Sequence, residues 1–183
     1  TIEFTDNESV LQAKLDKLAP DLLKSNISND QIVHRFNQIK SKSRKDLNLV
    51  KILMDQELIV SGIGNYLVAE ILYDAKLNPH RNLNELSHAE LMRLAQSMRK
   101  VAKYAYYNNN SGYMEYFPDF MKTHSEKIDN GDFPDYQPDV VIPDNEHFVF
   151  NVYQKKYDQS GNPIQKDEIV KGRTIHWVPD VQK

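Results

Sequence analysis

Two glycines separated by one residue interrupt an apolar stretch, VSGIGNYLVAEIL, at residues 60–72. A glycine inside a helix costs about 1 kcal/mol relative to alanine, so one continuous helix through this stretch is disfavoured. Glycine also adopts positive φ angles, which tight turns require. The stretch therefore predicts two helices joined by a tight reversal, the second beginning at about Gly64.

Helical periodicity extends over residues 1–112, where apolar residues recur every three or four positions. A serine followed three positions later by glutamine or glutamate marks a helix start, because the two residues can cap each other. The predicted caps are Ser28 with Gln31, Ser43 with Asp46, and Ser87 with Glu90. The predicted helices are residues 8–18, from Ser28 through Ile39, 47–54, from about Gly64 to Ala75, and from Ser87 to Asn108–Asn110.

The pattern changes after residue 112. Residues 113–146 are rich in proline and acidic residues and have little periodicity, which predicts an irregular connector. From residue 147 the apolar period becomes two, and the sequence at 158–163 is typical of a turn, so a β-hairpin with its first strand in HFVFNVYQKKY is predicted. The predicted class is mainly α with a C-terminal β-hairpin: a helical domain at 1–112, the connector at 113–146 and a β-unit at 147–183.

The charge is unevenly distributed, although the net charge is only −3. Residues 31–51 contain six basic residues and one acid, a local charge of +5, whereas 115–150 contain nine acids and two lysines, a charge of −7. A local basic region suits a phosphate-bearing partner, or is a solvated helix face. No apolar run reaches the roughly 18 residues of a membrane span, so no membrane partner is expected.

The glycine turn is also a candidate anion site. A helix N-terminus presents unpaired N–H groups and the positive end of the helix dipole. Asn65 adds an amide donor, so the pattern indicates a phosphate site at Gly64 and Asn65. The alternative is a structural helix hairpin whose glycines only permit close packing. A helix–hairpin–helix motif is disfavoured, because its spacing from the second glycine to the alanine differs by one residue from that to Ala69.

Segments from both ends of the chain resemble one family. MDQELIVSGIGNYLVAEILYDAKLNPH (54–80) and KLAPDLL (17–23) resemble the helix–two-turn–helix domain of the formamidopyrimidine-DNA glycosylase and endonuclease VIII family. VYQKKYDQSGNPI (152–164) and GRTIHWVPDVQ (172–182) are similar to the finger at the family's C-terminus. The resemblance implies a helix–two-turn–helix helical domain followed by a β-hairpin finger.

The family's finger holds zinc with four cysteines, and this chain has none. Ile164, Asp167, Val178 and Val181 stand at those positions. The resemblance therefore implies a zincless finger, with no metal and no other cofactor. Its expected hydrophobic core is Val152, Ile164, Ile169, Trp177, Val178 and Val181.

The resemblance implies a DNA glycosylase with AP-lyase activity in base excision repair, acting on duplex DNA with a damaged base or an abasic site. The Asn-Tyr-Leu form at 65–67 favours the endonuclease VIII branch and oxidised pyrimidines. The family's nucleophile is an N-terminal proline in a β-sandwich domain that residues 1–183 do not include. The chain is expected to be the DNA-binding C-terminal half, inactive without that domain and intracellular, in the cytoplasm, nucleoid or nucleus.

The matched motifs also imply residue roles. Gly64 and Asn65 are expected to hold one phosphate beside the lesion and Arg173 the neighbouring phosphate, because a planar guanidinium pairs with two oxygens. Glu70 is expected to assist proton handling at the extruded sugar, or to be an ordinary exposed or cap-proximal acid. Diffuse phosphate contacts, or a solvated face, are expected at Lys155, Lys156 and Lys171. Turn support is expected from Asp55 and Gln56.

Two other classes of function remain open at this point. A non-catalytic DNA-binding or packaging module would keep the same fold without the nucleophile. An RNA-binding helical domain is a further alternative, because a ribosomal protein family has a similar glycine turn, but the finger-like C-terminus argues against it.

Overall fold

The structure is a computed structural model, and it describes residues 5–23, 27–42, 47–114 and 148–183. Within these ranges the chain is mainly helical, with one two-stranded antiparallel sheet near the C-terminus. The elements are α1 Glu8–Leu15, α2 Asn29–Lys42, α3 Leu49–Met54, α4 Asn65–Asp74, a 3-10 helix Leu83–Glu85, α5 His88–Met114, β1 Gln165–Val170 and β2 Arg173–Trp177. The predicted class, mainly α with a C-terminal β-hairpin, is confirmed. No helix of the described ranges is long and apolar enough to cross a membrane.

Two of the predicted capping boxes are confirmed. The Ser28 N–H donates to Gln31 Oε1 at 2.8 Å, and the Gln31 N–H donates to Ser28 Oγ at 3.2 Å. Ser87 and Glu90 make the same reciprocal pair at the start of α5. Each box satisfies two N–H groups that a helix start leaves without an intrahelical partner.

Helix α3 has a different start from the predicted one. It begins at Leu49, and the Asn48 side chain caps it: Asn48 Oδ1 accepts hydrogen bonds from the N–H groups of Val50 and Lys51. Asparagine is among the best N-cap residues because its short side chain reaches these donors. The predicted cap at Ser43 and Asp46 lies outside the described residues.

Helix α5 is longer than the sequence predicted. It was expected to end at Asn108–Asn110, but it continues to Met114. An asparagine costs only about 0.7 kcal/mol or less relative to alanine inside a helix, so three of them do not end a long helix. Helix α1 is shorter than predicted and ends at Leu15 instead of residue 18.

Helices α2 to α5 and strand β2 share one hydrophobic core. Phe36, Ile52, Ile71, Leu94 and Ile175, one from each of these elements, are fully or almost fully buried in the same cluster. The hairpin is therefore part of the packing of the helical domain and not a separate appendage.

Helix α4 lies at the centre of this arrangement. Its residues from 67 to 72 are all buried, and it packs against α3, α5 and β2. A surface helix buries only one stripe, so burial of six consecutive residues requires neighbours on several sides. This explains why the sequence becomes apolar immediately after the glycine turn.

The hairpin lies later in the sequence than predicted. Strands β1 and β2 pair antiparallel, with Gln165 opposite Trp177, and the turn between them contains Gly172 at φ +72°. No strand occurs in the described part of the predicted first strand, residues 148–157. The turn at 158–163 exists, but it closes only an isolated bridge between Tyr157 and Pro163.

An ion pair between Arg81 and Glu90 connects the segment after α4 to the start of α5. The hydrogen bond from Arg81, with the N–H and hydroxyl of Ser87, lowers the pKa of Glu90 from 4.5 to about 2 despite partial burial. A carboxylate with a depressed pKa in the folded state stabilises it above the unfolded-state pKa. That stabilisation is lost as the pH falls from about 4.5 to about 2.

We therefore expect Glu90→Gln to reduce the loss of unfolding free energy between about pH 4.5 and pH 2. The wild-type free energy of unfolding should fall by roughly 1–3 kcal/mol more than that of the variant across this window. Urea unfolding at a series of pH values measures the difference. Glu57→Gln, at an exposed acid, is the control and should follow the wild-type curve. Parallel curves for wild type and Glu90→Gln would contradict the role assigned to the Arg81 pair.

Candidate nucleic-acid interface

The turn between α3 and α4 is braced by one side chain. Gln56 Nε2 donates to Met54 O and Ile63 O, both at 3.0 Å, and Gln56 Oε1 accepts from the Gly62 N–H at 2.7 Å. Gly62 has φ +96°, a conformation that residues with a side chain rarely adopt. Asp55 supports the same turn by accepting from the Glu57 N–H. The predicted turn-supporting roles of Asp55 and Gln56 are confirmed.

Gly64 is the N-cap residue of α4, and the helix therefore starts without a side-chain cap. Its backbone is extended, with φ −106° and ψ −177°. A Cβ added at Gly64 or Gly62 would meet no atom within 4 Å. Close packing inside the described chain thus explains neither glycine, and the space beside the helix start is open. An uncapped helix N-terminus facing open space is suited to an anion.

Asn65 links this helix start to the hairpin. Its Nδ2 donates to Thr174 O at 3.1 Å, so the start of α4 lies against the strand residue that follows Arg173. Asn65 Oδ1 is buried and has no hydrogen-bond partner among the described residues. Arg173 and Lys171 are exposed on either side of the Gly172 turn. The structure thus brings Asn65 and the turn bearing Arg173 together, as the interface requires.

Lys155 and Lys156 precede the hairpin in the C-terminal unit, residues 148–183. Both are exposed, and the carbonyl of Lys156 accepts from the Ile164 N–H just before β1. No described contact joins either side chain to the helix start. Their predicted phosphate contacts remain predictions.

Glu70 is a buried anchor. Only 1% of it is exposed, and its carboxylate accepts from the backbone N–H groups of Asn151, Val152 and Tyr153 and from the Asn151 amide, at 2.9–3.1 Å. The expectation of an ordinary exposed acid is wrong, because these donors hold the carboxylate inside the protein. The carboxylate thereby holds residues 151–153 in place, and the predicted part of Glu70 in catalysis remains a prediction.

One helical turn further along α4, a tyrosine makes a second anchor. Tyr73 Oη donates to Asp158 Oδ2 at 3.0 Å, and Asp158 also accepts from Ser160 and from Asn162 in its own turn. Burial and the Asp158 carboxylate raise the pKa of Tyr73 to about 12. Burial alone would raise the pKa of Asp158, but these hydrogen bonds outweigh it and lower the pKa. Helix α4 therefore holds the C-terminal unit at both Glu70 and Tyr73.

Sequence reasoning missed Tyr73, Asn151 and the anchoring role of Asp158. The Asp158 turn carries a usable signal, because an aspartate two residues before Ser-Gly-Asn is typical of an Asx turn. Tyr73 and Asn151 carry none, since their partners lie 85 and 81 positions away.

Aromatic rings fill the junction between α4 and the C-terminal unit. Tyr66 meets Phe150 edge-on at a centroid distance of 5.7 Å, and Tyr153 lies 5.5 Å from Phe150 and 5.1 Å from His176. Burial, followed by the charge of Lys166, lowers the pKa of His176, which favours the neutral form of this ring. The helix start and the hairpin are therefore joined by a largely apolar contact.

The finger is held by packing and hydrogen bonds. Ile164, Val178 and Val181 belong to a small cluster with Val152 and Ala69 of α4. Three of the four residues at the family's cysteine positions, Ile164, Val178 and Val181, have no atom that binds a metal ion. Asp167 alone cannot supply the four ligands of a structural zinc site, so these positions do not fit zinc. Across the described residues, no group of three or more possible ligands could hold a metal ion.

The remaining predicted core residues of the finger have other neighbours. Ile169 packs against the main core, and Trp177 is buried with its Nε1 donating to Asp167 Oδ2 at 2.6 Å. His80 bonds the same oxygen at 2.8 Å. Burial alone would raise the pKa of Asp167, but hydrogen bonds from His80 and Trp177 lower it. Asp167 thus ties β1 to β2 and to the segment after α4.

Part of the basic region at residues 31–51 has internal partners. Arg35 Nη2 donates to Leu58 O at 2.9 Å, and Lys40 Nζ donates to Leu86 O at 2.8 Å. Arg44 and Lys45 lie outside the described residues. The local charge therefore serves the fold in part and is not wholly available to a partner.

Helices α3 and α4, joined by the Gly62 turn, and the cationic hairpin turn beside the start of α4 are the arrangement expected of a helix–two-turn–helix protein with a β-finger. Comparisons with known proteins agree. Residues 18–115 match the formamidopyrimidine-DNA glycosylase H2TH domain, and residues 138–183 match the formamidopyrimidine-DNA glycosylase C-terminal domain. The chain belongs to the formamidopyrimidine-DNA glycosylase and endonuclease VIII family, as its sequence predicted.

Two relatives show the extent of the similarity. The formamidopyrimidine-DNA glycosylase of Prochlorococcus marinus (strain MIT 9312) is 30% identical over 172 residues, which are 92% of this chain and 49% of the relative. Endonuclease 8 of Pectobacterium carotovorum (strain PC1) is 29% identical over 92 residues, 50% of this chain and 34% of the relative. The chain spans about half the length, or less, of the relatives it matches.

Solved structures share the fold. A MutM structure in complex with DNA containing carbocyclic 8-oxo-G superposes with a TM-score of 0.63 at 20% identity, covering 97% of this chain and 55% of that one. A viral DNA glycosylase has a TM-score of 0.63 at 19% identity, covering 96% and 54%. The predicted order, a helix–two-turn–helix domain followed by a finger, is confirmed.

Proposed function

We propose that this chain is the DNA-binding half of a bifunctional DNA glycosylase and AP lyase of base excision repair. The observation that carries the proposal is the hydrogen bond from Asn65 Nδ2 to Thr174 O, which joins two motifs 109 positions apart in the sequence. It makes one surface from the uncapped start of α4 and the turn that presents Arg173. Family membership supports the same function.

The surface acts by holding two neighbouring phosphates. The start of α4 offers backbone N–H groups, and Asn65 has a second amide hydrogen besides the one directed at Thr174 O. Arg173 grips the adjacent phosphate with two parallel hydrogen bonds. Holding the backbone at two points favours a kink between them, and a kinked duplex releases the damaged nucleotide from the stack more easily. Lys171 adds a diffuse attraction beside Arg173.

The chemistry requires a second domain. The chain spans about half of its relatives, and the family resemblance implies that a β-sandwich domain supplies the proline nucleophile. Residues 1–183 then bind and orient the DNA, and the second domain carries out the chemical step. The Asn-Tyr-Leu form at 65–67 favours oxidised pyrimidines as the excised bases. The site of action is the DNA-containing compartment of the cell, whether cytoplasm, nucleoid or nucleus.

We expect Arg173→Ala to weaken DNA binding by about 10- to 100-fold, because it removes one charge-assisted bidentate contact. Fluorescence anisotropy on a duplex with an abasic site, at several salt concentrations, measures the change. Since each neutralised phosphate contributes about −0.9 to the log–log salt slope, the slope should become shallower by about that amount. Arg173→Lys should keep the slope and lose part of the affinity.

Lys17→Ala is the matched control, because it removes one positive charge from an exposed residue that belongs neither to the start of α4 nor to the hairpin. It should bind nearly as tightly as wild type. An Arg173→Ala chain with wild-type affinity at low salt would contradict the phosphate role.

Borohydride trapping on the same duplex tests whether residues 1–183 bind DNA without supplying the nucleophile. The isolated chain should bind without forming a covalent adduct. An efficient adduct would place a nucleophile within residues 1–183. A complete gene product that binds DNA but forms no adduct would support a non-catalytic DNA-binding module instead. Equal affinity for an RNA duplex would favour an RNA-binding domain.

A further inference from the structure

His176 is a buried histidine in β2 that the phosphate surface does not use. Only 6% of the residue is exposed. Its Nδ1 is buried and has no hydrogen-bond partner among the described residues. A neutral imidazole can leave one ring nitrogen as an unprotonated acceptor, whereas a protonated ring carries a donor on both nitrogens. A buried charged donor without an acceptor is costly, so this position suits the neutral ring.

The charged groups that face His176 also favour the neutral ring. Lys166 of β1 stands directly opposite His176 in the hairpin, and like charges on paired positions repel each other. Glu70 of α4 has the opposite charge, but its carboxylate already accepts four hydrogen bonds from residues 151–153. Burial and the charge of Lys166 outweigh Glu70, so the pKa of His176 lies below the usual 6.5.

The ring of His176 connects the hairpin to the segment that Glu70 anchors. It meets the ring of Tyr153 at a centroid distance of 5.1 Å, and the Tyr153 N–H is one of the donors to that carboxylate. Two positions earlier on the same strand, Thr174 O accepts from Asn65 at the start of α4. The strand that follows the finger turn is therefore held by one hydrogen bond and by one ring contact.

We propose that His176 is a pH-sensitive positioning residue of the finger: its neutral ring holds the Arg173 turn beside the start of α4, and its protonation loosens that turn and weakens DNA binding. This inference rests on the proposed function. A histidine whose pKa is lowered in the folded state leaves stability unchanged above the unfolded-state value of 6.5 and reduces it as the pH falls below that value. An exposed histidine beside phosphates would act in the opposite direction, since its protonation adds positive charge and strengthens binding.

Anisotropy titrations of the chain on the abasic duplex, at constant salt and at about pH 8 and about pH 5, cover the range in which histidine titrates. We expect the wild-type Kd to rise by about 3- to 30-fold at the lower pH. His176→Phe keeps a planar ring that takes no proton, so its Kd should change by less than about twofold. His88→Phe, at an exposed histidine of α5, is the control and should keep the wild-type pH dependence.

Two further variants distinguish positioning from a merely structural role. His176→Ala removes the ring and should weaken binding at both pH values, whereas His176→Phe should restore most of the affinity at about pH 8. Lys166→Gln removes the facing positive charge, so the loss of binding should begin at a higher pH than in the wild type. Each variant is compared with its own affinity at the higher pH.

An NMR titration separates this inference from the proposed function, because it needs no DNA. The ring signals of His176 should titrate below pH 6.5, and the amide signals of Asn65 and Arg173 should shift at the same midpoint. These amide shifts should be absent in His176→Phe. A chain that shows the linked shifts but binds no DNA at any pH would contradict the proposed function and leave the positioning role of His176 in place.

Three results would overturn the inference. The first is a ring of His176 that stays neutral at about pH 5. The second is a protonated ring with unchanged or increased DNA affinity. The third is the same loss of affinity in His176→Phe as in the wild type, which would assign the pH dependence to another group.

Discussion

Replacing Glu70 with alanine is expected to destabilise the chain by about 3–5 kcal/mol. The carboxylate is buried and accepts four hydrogen bonds, three of them from the successive N–H groups of residues 151–153. Truncation leaves these donors without an acceptor, and each buried donor left unpaired costs about 1–3 kcal/mol. Urea unfolding of the isolated chain measures the loss as a lower midpoint. A domain is typically stable by only about 5–15 kcal/mol, so the change is large.

Glu57→Ala is the matched control for this experiment. Glu57 is exposed, and an exposed acid away from such a network should change stability by no more than about 0.5 kcal/mol. Glu70→Gln keeps the shape and one acceptor oxygen, but turns an NH₂ group towards N–H donors, so its loss should be intermediate. This second variant also serves if the alanine variant does not fold. Wild-type midpoints for both Glu70 variants would contradict the anchor.

The same variants separate positioning from catalysis. The anchored residues 151–153 lead into the finger, so loosening them should displace the hairpin turn and weaken DNA binding without altering Arg173. In the complete gene product, a positioning role predicts that Glu70→Gln lowers DNA affinity. A catalytic role predicts slower cleavage of a damaged duplex at unchanged affinity.

Local features of the fold could be predicted because their causes are close in sequence. The boxes at Ser28 and Ser87 involve residues three positions apart, and the Gly62 turn depends on a backbone conformation that glycine favours. The end of α5 was mispredicted because asparagine propensity is a weak signal. The weak preference of asparagine against helix does not end α5, which continues to Met114.

The position of the hairpin could not be predicted, because its cause is distant. Phe148, Phe150 and Val152 alternate with polar or exposed residues as in a strand. Their segment nevertheless gives its N–H groups to Glu70, 81 to 83 positions earlier, and its rings to the junction with α4. A carboxylate buried by donors from another segment leaves no local trace, so the burial of Glu70 could not be predicted from the sequence.

The two halves of the candidate site were predicted from motifs, and their expected hold on neighbouring phosphates implied that they lie close together, but the contact that joins them was not predicted. Asn65 and Arg173 were identified by resemblance at opposite ends of the chain. The hydrogen bond to Thr174 shows that they belong to one surface. The bond also gives Asn65 a second possible task, that of holding the hairpin, and a substitution has to separate the two tasks.

Substituting Asn65 separates them when alanine and aspartate are compared. Both Asn65→Ala and Asn65→Asp lose the amide donor to Thr174 O. Aspartate also turns an acceptor oxygen towards this carbonyl, so urea unfolding of both variants is compared to measure the effect on the hairpin contact. Aspartate also places a negative charge in the first turn of α4, where it favours the helix. If a phosphate binds there, we expect alanine to weaken binding about tenfold and aspartate about 100-fold or more, because like charges then meet at the contact.

Anisotropy titrations on the abasic duplex at low and raised salt measure this difference. The gap between aspartate and alanine should narrow as salt increases, because the extra loss is electrostatic and exposed charges are screened. Arg173→Ala provides the scale for the loss of one phosphate contact. Equal affinities of the two Asn65 variants at every salt concentration would show that Asn65 acts only through Thr174. The phosphate beside α4 would then depend on the backbone N–H groups of the helix start alone.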